Sequence, residues 1–283
     1  MKMNFILRFT GILIFTGMIT PAVGFGQIPK SFIKKYMNGL PSGKPASDGT
    51  LQKYRMTALY TDMDIFGNFK GKTLVTGDYT RGFKDGLVMW NNVMVSTSNN
   101  ETEPFPAGKK KDYMEGIKYV PSGDMVKKEA FSDFPTTPDN IFARNVIWDM
   151  LSFEIFAWQY SDSLKLNRTY LIPDIHGQFD MGGIGEYSHN KILLTWVGIS
   201  EINGELYAVI DFNAVDNKIE LNIDMIKSKG TEQYWGTLMV SMKTKLISHG
   251  KMYSGTIQEI EVKGMKDKFY IKTIRELEIS RIQ

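Results

Sequence analysis

Residues 191–225 read "KILLTWVGISEINGELYAVIDFNAVDNKIELNIDM", and their punctuation decides the fold. Asn203-Gly204 sits between two apolar runs and is a strong signal for a two-residue type I′ hairpin. Further on, Ile219, Leu221, Ile223 and Met225 alternate with Lys218, Glu220, Asn222 and Asp224. A period of two marks a strand with one face buried and one in water. Asp216-Asn217 reads as a second turn between "ELYAVIDF" and "KIELNIDM". Downstream, "QYWGTLMVSMKTKLI", "KMYSGTIQEIEV" and "KFYIKTIRELEIS" continue the pattern, with turns expected at His249-Gly250 and Lys263-Gly264. Six strands with short connections make antiparallel neighbours.

Working towards the amino terminus, "KYRMTALY", "GKTLVTGDY" and "GLVMWNNVMVS" add three more strands, each bounded by glycine or asparagine clusters. Residues 99–138 are polar, proline-punctuated and without sustained period, which reads as a lid-like excursion. Thr137-Pro138-Asp139 then starts a helix over 139–160, "NIFARNVIWDMLSFEIFAWQY". Its polar residues Asn145, Asp149, Ser152 and Gln159 share a narrow strip, and almost all else is apolar, so this core helix is buried on several sides. The expectation is a mainly β protein: an antiparallel meander of about nine strands, forming a curved sheet or half-barrel around one long apolar helix. Trp148, Met150 and Trp158 are expected to line its interior.

The first 26 residues have the three regions of a secretory signal peptide. Lys2 and Arg8 precede an apolar run from Phe9 to Ile19, too short to span a bilayer, and small residues follow Pro21. No cysteine follows, so no lipid anchor is expected, and the chain is read as exported to the periplasm or beyond. Residues 27–50 suggest a short helix over Phe32–Met37 and a flexible linker rich in Pro, Gly and Ser, leaving 51–283 as one β-rich domain. With no cysteine anywhere, the fold has no disulfide framework and no thiol chemistry. Without Lys2 and Arg8, 32 basic residues stand against 31 acidic ones, a net of +1 that gives no electrostatic case for nucleic acid or an anionic membrane surface.

Few residues are chemically out of place. Asp174-Ile175-His176-Gly177 looks like the Asp-x-His-Gly turn of two-metal phosphoesterases. The rest of that pattern is missing: the chain has three histidines, no Asn-His-Glu, and only an upstream "GDYTRG". A smaller metal site from Asp174, His176, Asp180, Glu186 and His189 remains chemically reasonable, since carboxylates and imidazoles suit borderline cations, although their spacing matches no strong signature. Glu154 falls in the middle of the helix's apolar arc, where a carboxylate must be paired or protonated. Arg275 shares strand parity with Phe269, Ile271, Leu277 and Ile279, so a buried Glu154–Arg275 pair, structural or ligand-orienting, is the partner arrangement the sequence suggests. No nucleophile elbow, zinc-protease, Walker or dinucleotide motif is present, and no cofactor is implied.

The arrangement looks like the half-barrels with an inserted helix that carry lipids or lipoproteins across bacterial envelopes, a likeness of architecture alone. The function expected is a non-enzymatic envelope binding protein holding a lipid or other hydrophobic ligand. The alternative is a structural or protein-interaction component of the envelope, with an envelope protein as partner.

Overall fold

The computed structural model describes residues 34, 39–135, 137, 139–173, 177–223 and 225–282. The expected signal peptide, nearly all of the Phe32–Met37 helix, and the metal-site residues Asp174 and His176 lie outside the described residues. Apart from Lys34, the described residues belong to one compact unit, Tyr36–Gln283.

Thirteen strands form one antiparallel sheet that does not close. In chain order they begin with β1 (Gln52–Met63), β2 (Phe69–Arg81), β3 (Val88–Ser98), β4 (Lys109–Lys110) and β5 (Ile117–Tyr119). After the helix come β6 (Thr169–Leu171), β7 (Gly177–Asp180), β8 (Gly185–His189) and β9 (Lys191–Ile202). The long strands β10 (Glu205–Ile223), β11 (Ile226–Ser241), β12 (Ile247–Val262) and β13 (Phe269–Ile282) complete the sheet. β13 pairs back onto β1, so the carboxyl-terminal meander and the amino-terminal one become one curved surface. The five short strands carry too few residues to show a period and were not expected from the sequence.

Asn203 and Gly204 turn with φ of 53° and 76°, the pair of positive values a type I′ hairpin needs. The turn expected at Asp216-Asn217 is instead a bulge inside the continuous strand β10, with Asp216 at φ 59° and a register shift between Ala214 and Asn217. One extra residue reverses the facing of everything after it. Ala208, Ile210, Phe212 and Ala214 point inwards before the bulge, and Asn217, Ile219 and Leu221 after it. The same bulge is where β10 changes partner from β9 to β8. His249-Gly250 also proves not to be a turn, since both lie within β12 and the chain reverses between Ser241 and Ile247. Gly250 is there for packing: a Cβ would stand 2.7 Å from Leu238 and 3.0 Å from Ile279.

One α-helix among the described residues, α1 (Asn140–Glu154), lies in the concavity and runs into a single π turn, Ile155–Gln159. Phe142 packs edge-on against Tyr60 of β1 at 5.0 Å, Phe153 and Phe156 meet Phe212 of β10, and the Trp158 indole donates to the Lys245 carbonyl at 2.7 Å. The helix thus fills one end of the curved sheet, from the level of Tyr60 to the β11–β12 turn. Trp90, Trp196, Tyr54 and Tyr79 complete a core with no exposed surface to speak of.

Residues 99–138 pack onto this body. β4 and β5 pair with β3, and short 3-10 turns bury Met114, Met125 and Phe131. Phe131 meets Trp148 of α1 edge-on at 5.6 Å. The Pro-Gly-Ser segment before β1 is also tied down, with Leu40 in the core and the Gly49 amide donating to Gly82 at 2.9 Å.

Candidate functional site

Strand register divides the concave face into levels. At the level of Tyr60 the cross-strand row is Tyr60, Arg275, Ser254, Tyr234 and Ala214, all beside the helix. The next row outward is polar: Asp62, Thr273, Thr256, Glu232 and Asn217, with His189 opposite Asn217. Beyond it the inward residues turn aliphatic again, with Ile271 and Gly230 beside Gln258, then Ile260 and Leu221 beside Ser228. Apart from Ser228, these last residues are half-buried, whereas their counterparts beside α1 are buried except for Arg275. The concave face therefore has a helix-filled end, a polar band, and an open aliphatic mouth.

The polar band is an ionisable cluster. Arg275 Nη1 donates to both carboxylate oxygens of Asp149 on α1, at 3.0 and 3.2 Å, and Nη2 lies 3.9 Å from Glu232. The Tyr187 hydroxyl donates to Glu232 at 2.6 Å. His189 stacks edge-on against Tyr187 at 4.8 Å and hydrogen-bonds the Asn217 amide oxygen at 3.3 Å. Burial pushes the Asp149 carboxyl up to about 6, with Arg275 opposing and Glu232 reinforcing the shift. Burial also lowers His189, favouring the neutral ring, and raises Tyr187 well above the ordinary phenol value, with Glu232 adding to it. For Arg275, burial works against the charge, but Asp149, Tyr60 and Glu232 outweigh it. The Asn217 amide nitrogen and Arg275 Nε are buried donors with no partner among the described residues.

A second buried pair anchors the other end of the helix. Glu154 accepts from the Tyr79 hydroxyl at 2.7 Å and lies 3.2 Å from Arg81 Nε, while Arg81 also stacks over Trp158 at 4.2 Å. Burial raises the Glu154 carboxyl, against the pull of Arg81 and Tyr79.

The sequence-suggested Glu154–Arg275 pair is therefore corrected. Each residue is buried and paired, but Glu154 meets β2 through Arg81 and Tyr79, and Arg275 meets α1 through Asp149. Asp149 lies one turn and a half before Glu154, and its strip of polar neighbours made it look solvent-facing. Trp148, half-buried, donates to the Met125 carbonyl at 2.8 Å, and Met150 and Trp158 are buried, so all three pack against protein in the helix-filled end. The described metal-site residues do not converge. Asp180 and Glu186 pair across β7 and β8 on the outer face, and Asp180 accepts from the Gly183 amide at 2.6 Å. His189 points to the inner face, and residues on opposite faces of a sheet cannot share one ion. Among the described residues no three His, Cys, Asp or Glu side chains gather as metal ligands. Glu232, Tyr187 and Asn217 went unnoticed in the sequence, although the inward parity of Glu232, shared with Tyr234, was readable.

A groove of about 710 Å³ runs along β7, β8, β10, β11 and β12, lined from the outer face by Glu186, Glu220, Lys229 and Glu259 and from the inner face by Leu221 and Ser228. Charged side chains there alternate with the apolar Phe179, Ile184 and Leu221, so the groove is mixed in character.

No family model matches the chain. No curated protein matches it either. Among solved structures, a lipovitellin structure described by its lipid–protein interactions superposes with a TM-score of 0.43 and 11% identity, over 85% of this chain. The chain spans a quarter of that lipovitellin chain. A DUF1329 family protein from Desulfovibrio piger aligns over 82% of this chain and 85% of its own, with 10% identity and a TM-score of 0.13. Likenesses of this size carry no argument about function.

Proposed function

We propose that this chain is an exported binding protein of the cell envelope that holds a lipid or other hydrophobic ligand in the open half of its curved sheet. The observation that supports the reading is the aliphatic mouth, where Ile219, Leu221, Ile260 and Ile271 point inwards from three strands without the helix that covers the rows beneath. Partly exposed aliphatic side chains on a concave surface gain by taking an apolar guest, at about 25 cal/mol per Å² removed from water. The polar band at the floor suits the polar end of such a guest. It offers two carboxylates, Asp149 and Glu232, to one guanidinium, so it disfavours an anionic head and favours an uncharged or cationic one. Export rests on the leader pattern of residues 1–26.

The test uses Nile red, an uncharged apolar dye. Its fluorescence should rise with the full chain and with Ile257→Lys on the outer face, and fall away with Ile271→Lys in the mouth. Equal responses from the two variants would reject the mouth as the site. Native mass spectrometry of protein taken from the exporting compartment should then show an adduct of several hundred daltons and name its class.

A further inference from the structure

The edge of the sheet onto which the mouth opens differs from the opposite edge. Three hairpins turn there: β1–β2, β10–β11 and β12–β13. Their tips hold Phe66, 83% exposed, Met265, 60%, and Ile65 and Met225, 57% each. Ile226 and Phe269 stand exposed at the lip behind them. The β10–β11 and β12–β13 tips are bonded to each other, the Lys263 amide donating to the Met225 carbonyl at 2.8 Å. Nothing in the core explains these side chains, and hairpin tips ordinarily carry polar residues. At the opposite edge the β9–β10 turn is Asn203-Gly204 and the β11–β12 reversal carries Lys243 and Thr244, with Ile202 and Leu51 exposed beside the strand ends but no exposed apolar residue within either of those two turns.

Charge accompanies the apolar tips. The turn from Lys263 to Lys268 contains Lys263, Lys266 and Lys268 against the single carboxylate of Asp267. Lys268 is engaged by Glu259 and Glu261, but Lys227, Lys263 and Lys266 have no carboxylate partner among the described residues. On the β1–β2 tip, Asp64 is spent within its own loop on Asn68 and Lys70. Exposed apolar side chains with lysines beside them on two of the three tips are the composition of a surface that enters the headgroup layer of an anionic bilayer.

We infer that this protein docks on an anionic lipid surface by its open edge, inserting Phe66, Met225 and Met265 among the headgroups while Lys227, Lys263 and Lys266 meet lipid phosphates. Bilayer phosphate is the partner chemistry, and a protein partner is the outcome the test separates. The inference deepens the ligand reading and rests on it for its purpose: a mouth pressed to the membrane lets an apolar ligand move without crossing water.

Flotation with vesicles of phosphatidylethanolamine and phosphatidylglycerol tests it on the full chain, so that any affinity of the first 26 residues is common to every variant. Phe66→Glu with Met265→Glu should lower the partition coefficient about tenfold. Lys263→Glu with Lys266→Glu should lower it only on vesicles containing phosphatidylglycerol, and added salt should have the same effect on the wild type. Partition of the tip variant equal to wild type, or no wild-type partition at all, overturns the docking. Nile red binding of both variants separates the two readings. Dye binding kept by a tip variant that has left the vesicles shows an intact fold and mouth, while wild-type vesicle binding without dye binding rejects the ligand reading and leaves the docking standing.

Discussion

Arg275 of β13 holds Asp149 of α1 through one guanidinium nitrogen, 3.0 and 3.2 Å from the two carboxylate oxygens, and reaches towards Glu232 of β11 with another. This contact joins the helix to two strands of the carboxyl-terminal meander at the boundary between the filled and the open half of the sheet. Its members are almost completely buried, with Asp149 8% and Arg275 11% exposed as side chains. Burying such a pair is weak support for stability, since desolvation can exceed the Coulomb gain. It is strong support for position, because breaking it leaves a charge with no water.

The raised carboxyl of Asp149 makes stability depend on pH in a definite sense. Its pKa is 3.8 when exposed and about 6 when folded, so the folded state binds the proton more tightly. The contribution is fully present below pH 3.8 and is lost as pH rises through about 6. Urea unfolding from pH 4 to 7 should show wild type losing on the order of 3 kcal/mol relative to Asp149→Asn, which cannot titrate. A difference that stays flat over this range would mean that Asp149 is ionised throughout.

Double-mutant cycles should separate the two buried pairs. Glu154→Gln with Arg81→Gln should show a coupling energy of about 1–3 kcal/mol, and so should Asp149→Asn with Arg275→Gln. Glu154→Gln with Arg275→Gln, residues without a shared partner, should be additive within about 0.5 kcal/mol. Coupling in the last cycle would mean that the helix relays one pair to the other.

The distribution of these pairs shows how far the sequence could be read. Strand alternation exposed the sheet and its antiparallel order, since parity is a local property of Ile219, Leu221 and their neighbours. It also turned Arg275 inwards. Choosing its partner required knowing how α1 is rotated, and the helix projection favoured Glu154, the residue in the apolar arc, over Asp149 on the polar strip. A helix enclosed by a curved sheet buries its polar strip as well, and this depends on tertiary enclosure that no window of sequence contains. Gly250 failed for a related reason: a glycine chosen for the closeness of Leu238 and Ile279 is spelled like one chosen for a turn. The short strands β4 to β8 owe their conformation to the edges they pair with, and carry no period of their own.

The bulge at Asp216 offers a test of how the mouth is built. Asp216 holds φ at 59°, where a β-branched residue is strained, so Asp216→Val should cost about 1–2 kcal/mol and Asp216→Gly under about 1 kcal/mol. Deleting Asp216 removes the extra residue and would bring Lys218, Glu220 and Asn222 to the inner face in place of Ile219, Leu221 and Ile223. The deletion variant should either fail to fold or fold without binding Nile red. Normal dye binding by a folded deletion variant would show that the mouth does not depend on this strand.

Head-group preference follows from the floor of the mouth. Asp149 and Glu232 present two carboxylates to the single guanidinium of Arg275, and Asn217 offers a buried amide nitrogen with no partner among the described residues. In competition against Nile red, a long-chain alcohol and a long-chain amine should displace the dye at lower concentration than the carboxylic acid of the same length. Glu232→Gln removes one carboxylate and keeps the shape, leaving Arg275 balanced by Asp149 alone. The variant should improve displacement by the acid about tenfold, the scale of one partly buried charge, and leave the alcohol unchanged. It also frees the Tyr187 hydroxyl from a charged acceptor at 2.6 Å, so its phenol should titrate lower than in the wild type. Phenolate absorbance reads that change independently of any ligand. A shifted phenol with an unchanged order of alcohol, amine and acid would place the ligand's polar end away from this band, pointing outwards through the mouth.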